Sequence, residues 1–191
     1  MAKTFYVSDM HFFHKNAIEF DNRPWKTVEE MNEGLIKIWN ERVSDEDTVY
    51  ILGDISWSSN YDARCIYARL HGKKYWVTGN HDDKMYRNEE LRRQFVEVYE
   101  GYHKAYELDG RCVILSHYPI FMYDGIRRKN VHLYGHVHTN EMDCRLIEKW
   151  KAEYEAELGM KIPMYNVGVM VPYMEWGPKT LNEIIEANGG F

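Results

Sequence analysis

Carboxylates and imidazoles gather in five short fragments of this 191-residue sequence: Asp9-Met10-His11, Gly53-Asp54, Gly79-Asn80-His81-Asp82, His117 and Gly135-His136-Val137-His138. Oxygen and imidazole donors without a thiolate suit manganese, iron, zinc or nickel, and the number of histidines argues against magnesium or calcium alone. Asp9 and His11 lie two apart, as do His136 and His138. In extended backbone, the members of each pair would point the same way. The glycines at 53, 79 and 135 fit turns in which the backbone passes close to another group. Taken singly, the pieces have duller readings. Asp9, Asp54 and Asp82 are then strand-end or turn carboxylates, His117 is a satisfied core histidine, and His136 and His138 are a wet strand edge. Their joint occurrence, each behind an apolar run, carries the argument.

Those apolar runs are the elements that must do the positioning. Phe5 to Ser8, Val49 to Leu52, Tyr75 to Thr78, Val113 to Ser116 and Val131 to Tyr134 each read as a strand delivering one fragment. If the runs share one sheet, their ends line one edge, where open α/β folds place their sites. Between them, Thr27 and Glu30 form a capping-box pattern before Val28, Met31, Leu35, Ile38, Trp39 and Val43 at helical spacing. A second helix is expected from about Tyr61 to Leu70, stopped by Gly72, and Asn88 can cap a short one. Lys104–Leu108 and Arg111–Leu115 about Asp109-Gly110 read as a hairpin. Arg145 to Leu158 is helical in pattern, with Leu146, Ile147, Trp150, Tyr154 and Leu158 on one side. Tyr165 to Val169 is a late strand, and Thr180 with Glu183 opens a C-terminal helix.

No repeat or Pro/Gly/Ser linker divides the sequence, so residues 1–191 are expected to form one domain. Apolar residues make up 45% and charged residues 28%, ordinary for a globular protein. The net charge of −6 argues against an extended nucleic-acid track. Cys65, Cys112 and Cys144 are far apart and form no CxxC pair, which points to reduced thiols. No signal pattern or membrane-length apolar run is present, so no membrane partner is expected and the cytoplasm is the expected location. The sequence leaves the oligomeric state open.

Together and in this order, the five fragments resemble the calcineurin-like metallophosphoesterase superfamily. Asp9-Met10-His11-Phe12-Phe13-His14, Arg23-Pro24-Trp25 and Asn166-Val167-Gly168 look like a group of small bacterial and phage phosphoesterases within it. The resemblance implies an α/β (α+β) fold, a β-sandwich flanked by helices with a dinuclear metal site at the strand ends. It assigns Asp9, His11, Asp54 and His138 to one divalent ion, and Asp54 as bridge, Asn80, His117 and His136 to a second. Manganese is the first expectation, with iron, zinc or nickel as alternatives. His81 would face the substrate phosphate and Asp82 would orient it. Two ions about 3.5–4 Å apart can clamp a phosphate, acidify a bridging water and stabilise developing charge. The implied activity is hydrolysis of small phosphate esters, phosphodiesters or small nucleotides foremost. A phosphomonoesterase or a non-catalytic interaction module on the same fold are the alternatives.

Residues outside the set are expected to be ordinary. His71 and His103 read as surface or turn residues, and His132 as a strand residue without a partner. His14 could touch substrate or cap a helix, and Arg23 could clamp a phosphate or sit in a structural ion pair. The tyrosines and tryptophans read as core. The superfamily often has a small residue after its first motif histidine; here Phe12-Phe13 follows His11 and is expected to make the site mouth more apolar.

Overall fold

The computed structural model describes residues 2–58 and 61–190. Strands β1 (Thr4–Val7), β2 (Thr48–Leu52), β3 (Lys73–Val77) and β4 (Glu97–Tyr99) pair in parallel, and β9 (Lys179–Thr180) adds antiparallel to β1, giving the order β4-β3-β2-β1-β9. A second sheet has the order β5-β6-β7-β8, from Tyr102–Tyr106, Cys112–Ser116, Val131–Tyr134 and Met164–Asn166. Its β5–β6 pair is the expected hairpin, and β7 and β8 follow in parallel.

Period-two alternation explains how the two sheets face each other. On β1, Tyr6 points to the inner layer with Leu52, Val77, Val113, Leu115, Val131 and Leu133, whereas Phe5 and Val7 point outward. Helices cover both outer faces. Helices α1 (Lys15–Phe20), α2 (Val28–Arg42), α3 (Tyr61–Arg69), α4 (Asp83–Tyr86) and α5 (Glu89–Arg92) lie on the first sheet's side, where Met31, Leu35, Ile36 and Trp39 of α2 meet Phe5, Val49 and Ile51. Helix α6 (Glu141–Leu158) buries Ile147 against Ile114, Tyr134 and Met164 of the second. The architecture is a β-sandwich between helical layers, as the resemblance implied.

Helix ends follow local chemistry. Thr27 Oγ1 accepts from the Glu30 N–H at 3.1 Å, but the Glu30 carboxylate accepts from Lys26 N–H, one residue before the expected partner. Thr180 and Glu183 make the full reciprocal box ahead of α7 (Leu181–Ala187). Asn140 caps α6, five residues before the charged stretch that marked it in sequence, and Gly159 ends it at φ 61°. Leu146, expected on the packed side of α6, is 53% exposed; the buried stripe runs through Ile147 and the half-buried Trp150 and Tyr154. Among the described residues, no helix is long and apolar enough to cross a membrane.

Candidate metal centre

The five fragments leave the C-terminal ends of β1, β2, β3, β6 and β7. Three of these strands belong to the first sheet and two to the second, so the site straddles the seam between sheets, not one sheet edge as the strand pattern suggested. Backbone bonds cross the seam at Ser8, whose N–H donates to Val167 O at 2.9 Å and whose O accepts from Val169 N–H at 3.0 Å. Asp9 N–H donates to Gly53 O at 3.2 Å within the first sheet, and Gly135 N–H to His117 O at 2.9 Å within the second. Two close approaches require glycine here. A Cβ on Gly79 would lie 2.4 Å from Asp54 Oδ1, and one on Gly135 would lie 2.0 Å from Ser8 Oγ.

The two His/Asp pairs do not use extended backbone. Asp9, His11, His136 and His138 have φ of 55°, 48°, 71° and 49°, and Asp54 has 51°. These are left-handed conformations, which Asp and His tolerate better than most residues. Met10 and Val137, between the pair members, are turned into the protein and are 2% and 7% exposed.

The side chains meet in two abutting groups. In the first, His138 Nε2 lies 3.2 Å from His11 Nε2 and 3.7 Å from Asp9 Oδ1. In the second, His117 Nε2 lies 2.9 Å from Asn80 Oδ1 and 3.2 Å from His136 Nδ1, which is itself 2.9 Å from Asn80 Oδ1. Asp54 Oδ2 faces both, 3.8 Å from His11 Nε2 and 3.5 Å from His117 Nε2. The Asp9 carboxylate is also central: Asp9, His11 and His138 form one set of possible ligand atoms within 4.8 Å, and Asp9, Asp54 and His117 another.

The donor chemistry fits cations. His117 Nδ1 donates to Leu52 O at 2.8 Å, and His138 Nδ1 bonds the Asp21 carboxylate at 2.8 Å. In the neutral rings both Nε2 atoms then carry lone pairs directed into the cluster, that of His138 toward His11 Nε2 and that of His117 toward Asn80 Oδ1 and His136 Nδ1. His11 Nδ1 is buried without a hydrogen-bond partner. Burial pushes His11 far below the usual histidine range, helped by His138 and Arg23, and burial followed by His117 lowers His136. Neutral imidazoles are the form that binds metal. His138 differs: burial opposes its charged form, but the Asp21 bond and the Asp9 charge raise its proton affinity. Burial likewise raises Asp9, against the pull of His117 and His138.

Asp82 has a different place from the one expected. Its buried carboxylate accepts from Gly79 N–H at 2.7 Å, Asp54 N–H at 3.0 Å, Trp76 Nε1 at 3.0 Å and Ile55 N–H at 3.3 Å. Among the described hydrogen bonds none joins it to the His81 ring, so it ties the two ligand loops together instead of orienting that imidazole. Burial and the Asp54 charge push it up to about 6, against those N–H donors. The His81 ring is 43% exposed, with Nε2 4.0 Å from Asp54 Oδ2, while its backbone N–H donates to Asp54 Oδ1 at 3.0 Å.

Arg23 is 5% exposed and bonds Asp21, Met10 O and Asp9 O, so it is a structural ion pair and not a phosphate clamp. His14 begins α1 without a capping bond and stacks on Trp57. Phe12 is fully buried in the core and does not crowd the mouth. His132 has partners after all, donating from Nδ1 to Ile114 O and accepting at Nε2 from Ile120 N–H. Sequence reasoning missed Asp21 altogether. Its only signal was a carboxylate two residues from Arg23, with nothing local to say that both are buried behind His138.

A model of the calcineurin-like phosphoesterase family matches residues 2–188, and the chain belongs to that family. The general chemistry of the family is metal-dependent hydrolysis of phosphoesters, and the Asp/His groups can bind metal. An uncharacterised protein of Methanocaldococcus jannaschii is 37% identical over 145 residues, covering 75% of this chain and 73% of its own length. The Gene 66 protein of Mycobacterium phage D29 is 33% identical over 132 residues, covering 62% of this chain and 65% of its own. A solved structure, a protein of unknown function from Aquifex aeolicus, has a TM-score of 0.71 at 26% identity over 98% of this chain and all of its own.

Proposed function

We propose that the chain is a two-metal phosphoesterase that hydrolyses phosphodiesters or small nucleotides, with Asp9, His11, Asp54 and His138 holding one divalent ion and Asp54, Asn80, His117 and His136 the other. The observation that carries this is the convergence of seven nitrogen and oxygen donor groups on one place, with His138 Nε2 against His11 Nε2 and His117 Nε2 against Asn80, His136 and Asp54. Manganese is the first choice of ion, with iron, zinc or nickel able to use the same donors. Such a pair of ions supplies an activated water and neutralises charge on the phosphoryl oxygens.

The protein's own groups do the rest. Leu52 O and the Asp21 carboxylate fix the rings of His117 and His138 so that each presents Nε2. Asn80 contributes a neutral oxygen, which leaves two Asp charges against two divalent ions and a site positive toward an anionic ester. His81, outside both ligand groups and open to solvent, stands where it can donate a proton to the departing oxygen. Asp82 positions the Asn80–His81 turn through its bonds to Gly79, Asp54 and Trp76. The three cysteines are free thiols, which supports a cytoplasmic location.

The test is to strip the protein of metal, restore manganese, nickel, zinc or iron separately, and assay a panel of mono- and diesters. Hydrolysis that depends on restored metal, with diesters ahead, is expected. A protein that binds metal yet turns over nothing would favour the interaction module, and monoesters ahead of diesters would overturn the substrate assignment.

A further inference from the structure

A row of aromatic rings borders the metal centre on one side. Phe20 and His14 have centroids 5.5 Å apart, and His14 stacks on Trp57 at 4.1 Å with planes 6° from parallel. The row begins beside His138, 5.4 Å from Phe20, and ends beside His81, 5.0 Å from Trp57. Tyr118 stands on the other side, 4.5 Å from His136. Trp39 and Trp76 are 1% and 0% exposed as core residues should be, whereas Trp57 is 52% exposed and Phe20 51%. The Trp57 backbone is pinned, its N–H donating to Phe12 O at 2.9 Å beside the Phe12–Ser56 bridge. Packing does not require this indole to stand in water, yet it is held there with its plane set by His14.

We infer that Trp57 is a stacking platform for a nucleobase, so that the substrate is a small nucleoside phosphate ester with its phosphate at the metal centre and its base on the indole. The inference rests on the phosphoesterase reading and adds the residue that selects the substrate. A planar group suits this surface better than a chain because the His14–Trp57 pair is already a parallel stack that a base can extend. Base–aromatic stacking tolerates any base and is worth roughly 5- to 150-fold per base. The net charge of −6 favours a small ester over a long polynucleotide.

The experiment uses the full chain reconstituted with metal. One arm compares kcat/KM for deoxyadenylyl-deoxyadenosine with that for its analogue lacking both bases. The other compares calorimetric affinity for deoxyadenosine monophosphate and deoxyribose 5-phosphate. Aryl esters are avoided because a nitrophenyl ring would use the same platform. The wild type should favour the base-bearing member by at least about fivefold in both arms. The ratio should fall toward one in Trp57→Ala and be partly kept in Trp57→Phe, whatever the absolute rates. A wild-type ratio near one, or a preference that persists in Trp57→Ala, overturns the platform, as does tighter binding of an octyl phosphate than of the nucleotide. If neither diester is hydrolysed with any metal, the diesterase reading falls by itself, since the binding ratio still reports on Trp57.

Discussion

Oδ1 of Asp21 lies 2.8 Å from Nδ1 of His138, while Oδ2 of the same carboxylate is held by Arg23 at 2.7 Å. One buried carboxylate thus orients a candidate metal ligand and neutralises Arg23, whose guanidinium lies beneath the Asp9 loop. Partners of this kind are worth about 10–100-fold in metal affinity. Asp21→Asn is expected to weaken metal binding by that factor with the fold retained, as read by metal titration. Both variants should also destabilise the protein, because Arg23 then stays buried without its counter-charge. The loss should be about 3–5 kcal/mol in Asp21→Ala and less in Asp21→Asn, whose amide oxygen can still accept from the guanidinium. Unchanged affinity in Asp21→Asn would remove Asp21 from the site.

Asp54 should be the least replaceable ligand. Its Oδ2 faces both donor groups and its Oδ1 accepts the His81 backbone N–H. Asp54→Asn is expected to lower metal content and nearly abolish turnover, a larger loss than for any other single ligand. Retention of two ions and most activity, measured by elemental analysis beside the assay, would contradict the bridging role.

His81 should behave unlike the ligands. Its ring lies outside both groups, and a general acid is typically worth about 10²–10⁴-fold. His81→Ala is expected to keep its metal and lose activity by that order. Relative to wild type, the loss should be steeper on alkyl diesters, whose leaving alkoxide needs a proton, than on nitrophenyl diesters. Loss of an ion, or equal slowing of both ester types, would make His81 a ligand or a charge stabiliser instead.

His132 sets a pH limit on the fold. Burial lowers it from 6.5 to about 4, with the Ile114 bond opposing. Because the folded form releases its proton more readily than the unfolded chain, the neutral ring's stability is whole above pH 6.5. It drains away as pH falls toward 4, by on the order of 3 kcal/mol. The melting temperature of the chelated protein should therefore fall more steeply over that window than in His132→Gln, whose amide can serve both Ile114 O and Ile120 N–H. Parallel pH profiles would refute this.

The candidate ligands were legible because their loops are local signals: a carboxylate or imidazole directly behind an apolar strand, with glycine where backbones cross. Strands, helix caps and the sandwich followed from period and from resemblance. What the sequence hid was direction. Nothing in Phe12 or Arg23 says that one turns into the core and the other beneath Asp9: Phe12 was expected at the mouth, and Arg23 fits a phosphate clamp in sequence as well as the ion pair it makes. Asp82 was expected to hold its neighbour and instead binds Trp76 and Asp54, contacts set by how β2 and β3 pair. Trp57 was grouped with the core because composition cannot separate a buried indole from one held in water.

The five left-handed residues at the centre have a consequence for descent. Asp9, His11, Asp54, His136 and His138 each hold a backbone that glycine would adopt with less strain, at a cost of order 1–3 kcal/mol apiece at most. Their sum rivals the whole margin by which a domain of this kind is stable. A lineage that abandoned hydrolysis would shed backbone strain at each of these positions it exchanged for glycine, most freely at the histidines, since Asp9 and Asp54 also accept the His136 and His81 N–H groups. Decay of this centre should therefore be quick and should leave glycines as its scars, so a descendant that served only as a scaffold would be recognisable by them.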